Sequence, residues 1–139
     1  MLVNHRLGIA LATLAVVVAA AAPAAWSAKI PVAKSNYAKV TLELAGKKTT
    51  YHPGETITVS YSTQEHFADN GWIGVIPSEV THGDEDHNDE FDVAFEYLHK
   101  KAKGTVSFKA PAKLGNWDLR MHNTDNHGKE IAFVSFEVK

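Results

Sequence analysis

Apolar residues at every second position, in short runs broken by turn-forming residues, constrain this chain more than any other feature. Val40, Leu42 and Leu44 alternate with Thr41 and Glu43, and Ile57, Val59 and Tyr61 alternate with Thr56, Thr58, Ser60 and Ser62. Val106 and Phe108 alternate with Thr105, Ser107 and Lys109; Trp117, Leu119 and Met121 alternate with Asp118, Arg120 and His122. Val134, Phe136 and Val138 close the series, with Phe133 reading as buried on the opposite face. Successive side chains of an extended strand point to opposite faces, so a period of two buries one face and wets the other. Trp72-Ile73-Gly74-Val75-Ile76 is instead apolar on both faces, which predicts a central strand ended by Pro77. Gly74 inside it predicts a group approaching the backbone closely. Phe91, Val93, Phe95 and Tyr97 alternate with Asp92, Ala94 and Glu96. A helical stripe of Phe91, Phe95 and Leu98 competes with that strand, and the strand is the favoured reading.

Gly46-Lys47-Lys48, His52-Pro53-Gly54, Asn70-Gly71, Lys103-Gly104 and Ala110-Pro111 to Gly115 punctuate these runs. About seven short strands at this spacing, with no long helix, predict an all-β chain folded as a single antiparallel β-sandwich.

Ahead of the strands, Met1–Arg6 is a short charged start, Leu7–Ala22 is an unbroken apolar run, and Pro23 breaks it. Small residues at Ala25 and Ser27 predict signal cleavage before Ala28, with a cut after Ala24 as the competing choice. The expected organisation is a cleaved signal peptide at 1–27, an irregular arm at 28–38 and the β-domain at 39–139. The apolar run is short for a bilayer, which needs about 20 residues, so no transmembrane span is expected after cleavage and the address is periplasmic or secreted. With no cysteine in the chain, the exported domain is held by its apolar core and not by disulfides. Removing Arg6 while keeping all sixteen acids leaves a net charge of −3, which argues against a nucleic-acid partner.

The order of YHPGETITVSYST, NGWIGVIP, FEYL, GTVSFKAP, LGNWDLRMHN and FVSFEV, from Tyr51 to Val138, resembles a bacterial immunoglobulin-like β-sandwich module. It is similar to the C-terminal sandwich domains of some von Willebrand A-type proteins and to SKICH-type domains. The shared elements are P-G-E…V-x-Y-[ST], D-W/Y-I-G and G-x-Y-x-L/F-R. The chain departs from them where Asn70-Gly71 stands before Trp72, with Asp69 one place earlier, and in a longer, more acidic loop after Pro77. The resemblance implies an immunoglobulin-like fold and a non-catalytic accessory or adaptor role. It also assigns Arg120 to the shared structural pattern.

Chemistry concentrates in the loop from Glu79 to Asp92. It holds Glu79, Asp84, Glu85, Asp86, Asp89, Glu90 and Asp92, with His82 and His87, and no Lys or Arg follows until Lys100. Crowded carboxylates suit a hard divalent cation such as calcium, while imidazoles favour zinc or copper. Asp84, Asp86, Asn88 and Glu90 alternate like an EF-hand, but Asp89 stands where that loop needs glycine, so it is not one. The structural alternative is a solvated loop that keeps the protein soluble. Seven histidines remain after cleavage. If alternate loops fall at opposite ends, His52, His82 and His87 share one end with Asp84 and Asp86. His66, His99, His122 and His127 then share the other with Asp69, Asn123 and Asp125. Two metal candidates result: His82, His87, Asp84, Asp86 and His52, or His66, His122, His127 and Asp125. Trp72, Gly74, Trp117 and Arg120 read as structural, with Arg120 paired to a carboxylate or stacked on Trp72.

No G-x-S-x-G, H-E-x-x-H, cysteine nucleophile or glycine-rich phosphate loop is present, so no enzyme is expected. The sequence points to an exported, non-catalytic binding or adaptor module acting on an unknown protein or cell-envelope partner. The alternative is a periplasmic divalent-metal-binding or metal-delivery protein. No cofactor is certain, and a divalent Ca, Zn or Cu ion is the candidate.

Overall fold

The computed structural model describes residues 40–63 and 67–139; the expected leader at 1–27, the arm at 28–38 and His66 lie outside them. The period-two runs form strands: β1 (Thr41–Leu44), β3 (Thr56–Ser62), β4 (Trp72–Pro77), β5 (Ala94–Tyr97), β6 (Lys103–Lys109), β7 (Gly115–His122) and β8 (Glu130–Val138). A two-residue strand β2 (Thr50–Tyr51) follows β1, and a five-residue helix α1 (Glu85–Asp89) lies in the acidic loop. The strand reading of 91–97 therefore holds over Ala94–Tyr97, and the loop carries a helical turn that its charges did not announce.

The strands make two sheets, β1-β3-β6 and β2-β8-β7-β4-β5. All pairs are antiparallel except β2 with β8, which is parallel, so the expectation of a purely antiparallel arrangement is corrected. After β1 the chain leaves the three-stranded sheet and enters beside β8 in the same direction, with Glu137 and Lys139 donating backbone N–H bonds to Thr49 and Tyr51 carbonyls. Two residues are too few to show alternation, which is why β2 escapes a periodicity reading.

One buried apolar cluster draws on both sheets. Leu42, Ile57, Val59 and Phe108 come from the first, and Val75, Leu119, Met121 and Phe136 from the second. Trp117 belongs to this cluster. Each such side chain contributes about 1.5–3 kcal/mol on burial. β4 is central as expected, lying between β7 and β5. Its odd members Ile73 and Val75 enter the main cluster, while Trp72 and Ile76 form a second small one with Val80 on the opposite face. The Trp72 indole lies over Gly74, so close that a Cβ there would sit 2.4 Å from Cζ3. The close approach predicted for Gly74 is made by its own neighbour.

No helix among the described residues is long and apolar enough to cross a membrane.

Candidate functional site

β7 sends Trp117, Leu119 and Met121 into the main core and turns Asp118, Arg120 and His122 to the outer face. None of these three polar side chains is more than 1% exposed. They are covered because the segment from Ser78 to Val93 folds down over the sheet, and Arg120 holds it there. Its Nε and Nη2 donate to Asp118 Oδ2 at 3.0 and 2.8 Å. Nη2 also donates to the Val80 carbonyl at 2.8 Å, and Nη1 to Asn88 Oδ1 at 2.8 Å. Asp118 Oδ1 accepts from the Ser78 and Ser135 hydroxyls. Asn88, fully buried, donates to the carbonyls of Thr81 and Asp84. A planar guanidinium with five donors can grip a carboxylate through its fork and still bind an amide and a backbone carbonyl. The expected Arg120–carboxylate pair is present, whereas the ring stacked on Trp72 is His122.

The acidic loop's side chains disperse. His82 bonds Glu130 at 2.7 Å and lies against Phe133. His87 packs its ring against Phe91. Asp84 caps α1 by accepting from the Asp86 N–H, and Asp86 pairs with His127 at 2.6 Å. His52 contacts the Lys139 carbonyl. The set His82, His87, Asp84, Asp86 and His52 therefore does not converge on one point. Nor do the described members of the second set: His122 is buried on Trp72 with neither ring nitrogen hydrogen-bonded, His127 sits exposed on Asp86, and Asp125 lies elsewhere. The assignment of His127 and Asp125 to the end away from the acidic loop is corrected. The loop does not stay at the strand ends but lies along the sheet, where Asp84 bridges Lys129 and Glu85 meets Gly128.

What converges instead is Glu85, Asp89 and Asp125, whose carboxylate oxygens lie within 4.8 Å of one another, the only such trio among the described residues. Glu85 is 1% exposed and accepts from Trp72 Nε1 and the Gly128 N–H. Burial is the main reason its carboxyl sits above the usual range. The Tyr97 hydroxyl donates to Asp125 at 2.5 Å, and that bond, more than burial, raises the phenol. Beside them Asp92 has a buried Oδ2 with no partner. Burial first, then Asp89 and Asp125, push its carboxyl up to about 6. Oxygens bound to one calcium ion at about 2.3–2.6 Å stand no more than about 5.2 Å apart, so the trio is close enough together to share a hard cation. The spacing in sequence of 85, 89 and 125 carries no motif. Only the fold of the loop onto the β7–β8 connection brings Asp125 in.

The second feature is apolar. Phe91, Val93 and Phe95 are 44, 57 and 48% exposed. In β5 the small Ala94 faces Val75 and packs on the main core, while Phe95 lies opposite Gly74 and meets Trp72 edge-on. A groove of about 600 Å³ runs beside β5, lined by Val93, Phe95, Phe108, Pro111 and Trp117 among others.

Among the described residues no histidine nitrogen is hydrogen-bonded to a serine hydroxyl; Ser78 donates to Asp118. No protein-family profile, curated protein or solved structure matches the chain.

Proposed function

We propose that this chain is an exported, non-catalytic binding module, an immunoglobulin-like β-sandwich that docks on a protein partner through the exposed side of β5. The sandwich reading is supported by the single buried cluster shared between the two sheets. The observation that carries the function is the group Phe91, Val93 and Phe95, each about half exposed, leading into and lying on β5, a strand at the limit of its sheet. Apolar side chains gathered on one surface mark interaction sites more often than scattered ones do. The test is a photo-crosslinking side chain at Phe95, compared with the same group at Thr58 on the other sheet, in the producing cell. Adducts confined to position 95 support the reading. Equal labelling at both positions, or none, sinks it.

A second reading, a divalent-metal-binding protein, is favoured by the convergence of Glu85, Asp89 and Asp125 next to the unpartnered Asp92 oxygen. An all-oxygen set points to calcium ahead of zinc or copper. Calorimetric titration of the three ions into chelator-treated protein decides it. A bound ion at one hundred times its Kd stabilises the fold by about 2.7 kcal/mol, and no binding tighter than roughly millimolar would remove this reading.

A further inference from the structure

Resting on the docking reading above, we infer that the partner element is an extended, basic polypeptide segment that adds as a further strand along the free edge of β5.

β5 pairs with β4 on one side, and no described strand pairs with its other side. An unpaired strand edge presents a row of N–H and C=O groups to any extended chain, and proteins normally blunt it with lysines, proline or extreme shortness. Among the described strands the other edges carry such devices or polar side chains. β2 is two residues long, and β6 bears Lys103 and Lys109 among exposed Thr105 and Ser107. The exposed positions of β1, Thr41 and Glu43, are polar. β5 is as short as β1 and bears one exposed charge, Glu96, but it has neither lysine nor proline, and the exposed apolar side chains leading into it and along it are Phe91, Val93 and Phe95.

Charge selects the occupant. Glu90, Asp92 and Glu96 are interleaved with those apolar residues, and Asp89 and Asp125 lie close by. None of the five is in a salt bridge among the described residues; the nearest paired acid, Asp86, is held by His127. A segment with lysines or arginines alternating with apolar residues would set its cations toward these carboxylates and its apolar side chains into the groove. Backbone pairing supplies affinity in this recognition mode, and alternate side chains supply selectivity. A second copy of the chain is the poorer occupant, because edge-to-edge pairing would bring Glu90, Asp92 and Glu96 of two molecules together.

The test uses the full chain with three labelled probe peptides: alternating Lys/Val, alternating Glu/Val, and the Lys/Val peptide N-methylated at every second residue so that it cannot join a sheet. Fluorescence anisotropy gives affinity, and amide hydrogen exchange gives the site. The expected result is at least about tenfold tighter binding of Lys/Val than of either control, with new protection at residues 93–97. Loss of binding in the exposed double variant Val93→Lys/Phe95→Lys is also expected. Equal binding of the N-methylated peptide, or protection elsewhere, overturns strand addition. Equal binding of Glu/Val overturns the basic partner. Both of those outcomes leave the docking surface standing if crosslinking from position 95 in the cell persists and the single variant Val93→Lys abolishes it. Self-association of the chain that the double variant abolishes overturns the inference in favour of a second copy. No binding by any peptide, with crosslinking at Phe95 retained, overturns the inference alone.

Discussion

The imidazole of His122 lies flat on the indole of Trp72, with ring centroids 4.0 Å apart and planes inclined by 21°, and neither imidazole nitrogen has a hydrogen-bond partner. The stack fixes two neighbouring strands, since Trp72 and His122 face each other across the β4–β7 ladder. An aromatic pair of this kind is worth about 0.5–1.5 kcal/mol beyond the area it buries. A buried N–H without an acceptor costs about 1–3 kcal/mol. Burial with no partner for either nitrogen favours the neutral form of His122.

That neutrality predicts a pH dependence. Burial first, then the charge of Arg120 and then His82, lower the folded-state pKa of His122 from 6.5 to about 3. Between these values the unfolded chain binds a proton that the folded one does not, so stability falls as pH drops from 6.5 toward 3, by on the order of 4 kcal/mol. Asp92 works in the opposite sense. Its folded pKa of about 6 exceeds the ordinary 3.8, so its contribution is fully present below 3.8 and is lost as pH rises through 6. The two effects offset in the wild-type chain. His122→Phe is therefore expected to become more stable relative to wild type on going from pH 7 to pH 4, and Asp92→Asn less stable. Urea unfolding at pH 7, 5 and 4 measures this, and parallel curves for wild type and His122→Phe would refute it.

Arg120 carries the next prediction. It is fully buried, and its bonds join Asp118, Asn88 and the Val80 carbonyl into one network. Lysine keeps the charge but cannot make the forked pair, and it strands Asn88 or a carbonyl without a donor. Arg120→Lys is expected to lower unfolding free energy by about 2–3 kcal/mol, the cost of one or two unsatisfied buried groups. Hydrogen exchange should quicken first at Asn88, whose amide is bonded to the Asp84 carbonyl. A loss under about 0.5 kcal/mol, the range of an ordinary surface substitution, would mean the loop is held by something else.

Gly74→Ala tests the seat of Trp72. The added methyl would meet the indole at 2.4 Å, so the ring must leave its place between Gly74, His122 and Phe95. Overpacking of this kind costs about 1–3 kcal/mol. A shifted tryptophan emission maximum, together with a lower Tm, is the expected signature. An unchanged spectrum would show that the strand yields and the ring does not.

How far the sequence revealed these features differs by feature. Alternation located six of the eight strands, because burial of one face imposes a period of two, and a central β4 followed from its being apolar on both faces. The same rule misled on the outer face of β7, where Asp118, Arg120 and His122 read as solvent-facing yet are buried. A covering loop is set by tertiary contacts, not by local pattern. For the same reason the carboxylates chosen from the loop alone, Asp84 and Asp86, are occupied by a helix cap and by His127. Asp125, forty residues beyond Glu85 in sequence, completes the trio. In β5 Ala94, not Phe95, reaches the main core, because Phe95 stands over the glycine of β4, on the face that Trp72 fills.

The last prediction separates a strained acidic cluster from a cation site. Glu85, Asp89 and Asp125 approach within 4.8 Å without a Lys or Arg salt bridge among the described residues, so their mutual repulsion works against the metal-free fold. Asp89 is the exposed member of the trio, which makes Asp89→Asn the mildest way to remove one charge. With chelator present, the variant is expected to melt higher than wild type by about 2 °C, the shift that corresponds to roughly half a kcal/mol in a domain of this size. With millimolar calcium the order should reverse, since the wild type alone then gains the full set of oxygen ligands and the stabilisation that binding brings. A variant that melts higher in both buffers would show a cluster whose repulsion is real and whose cation is not calcium. A variant that melts lower in both would show that Asp89 stabilises the fold by a route other than the cluster.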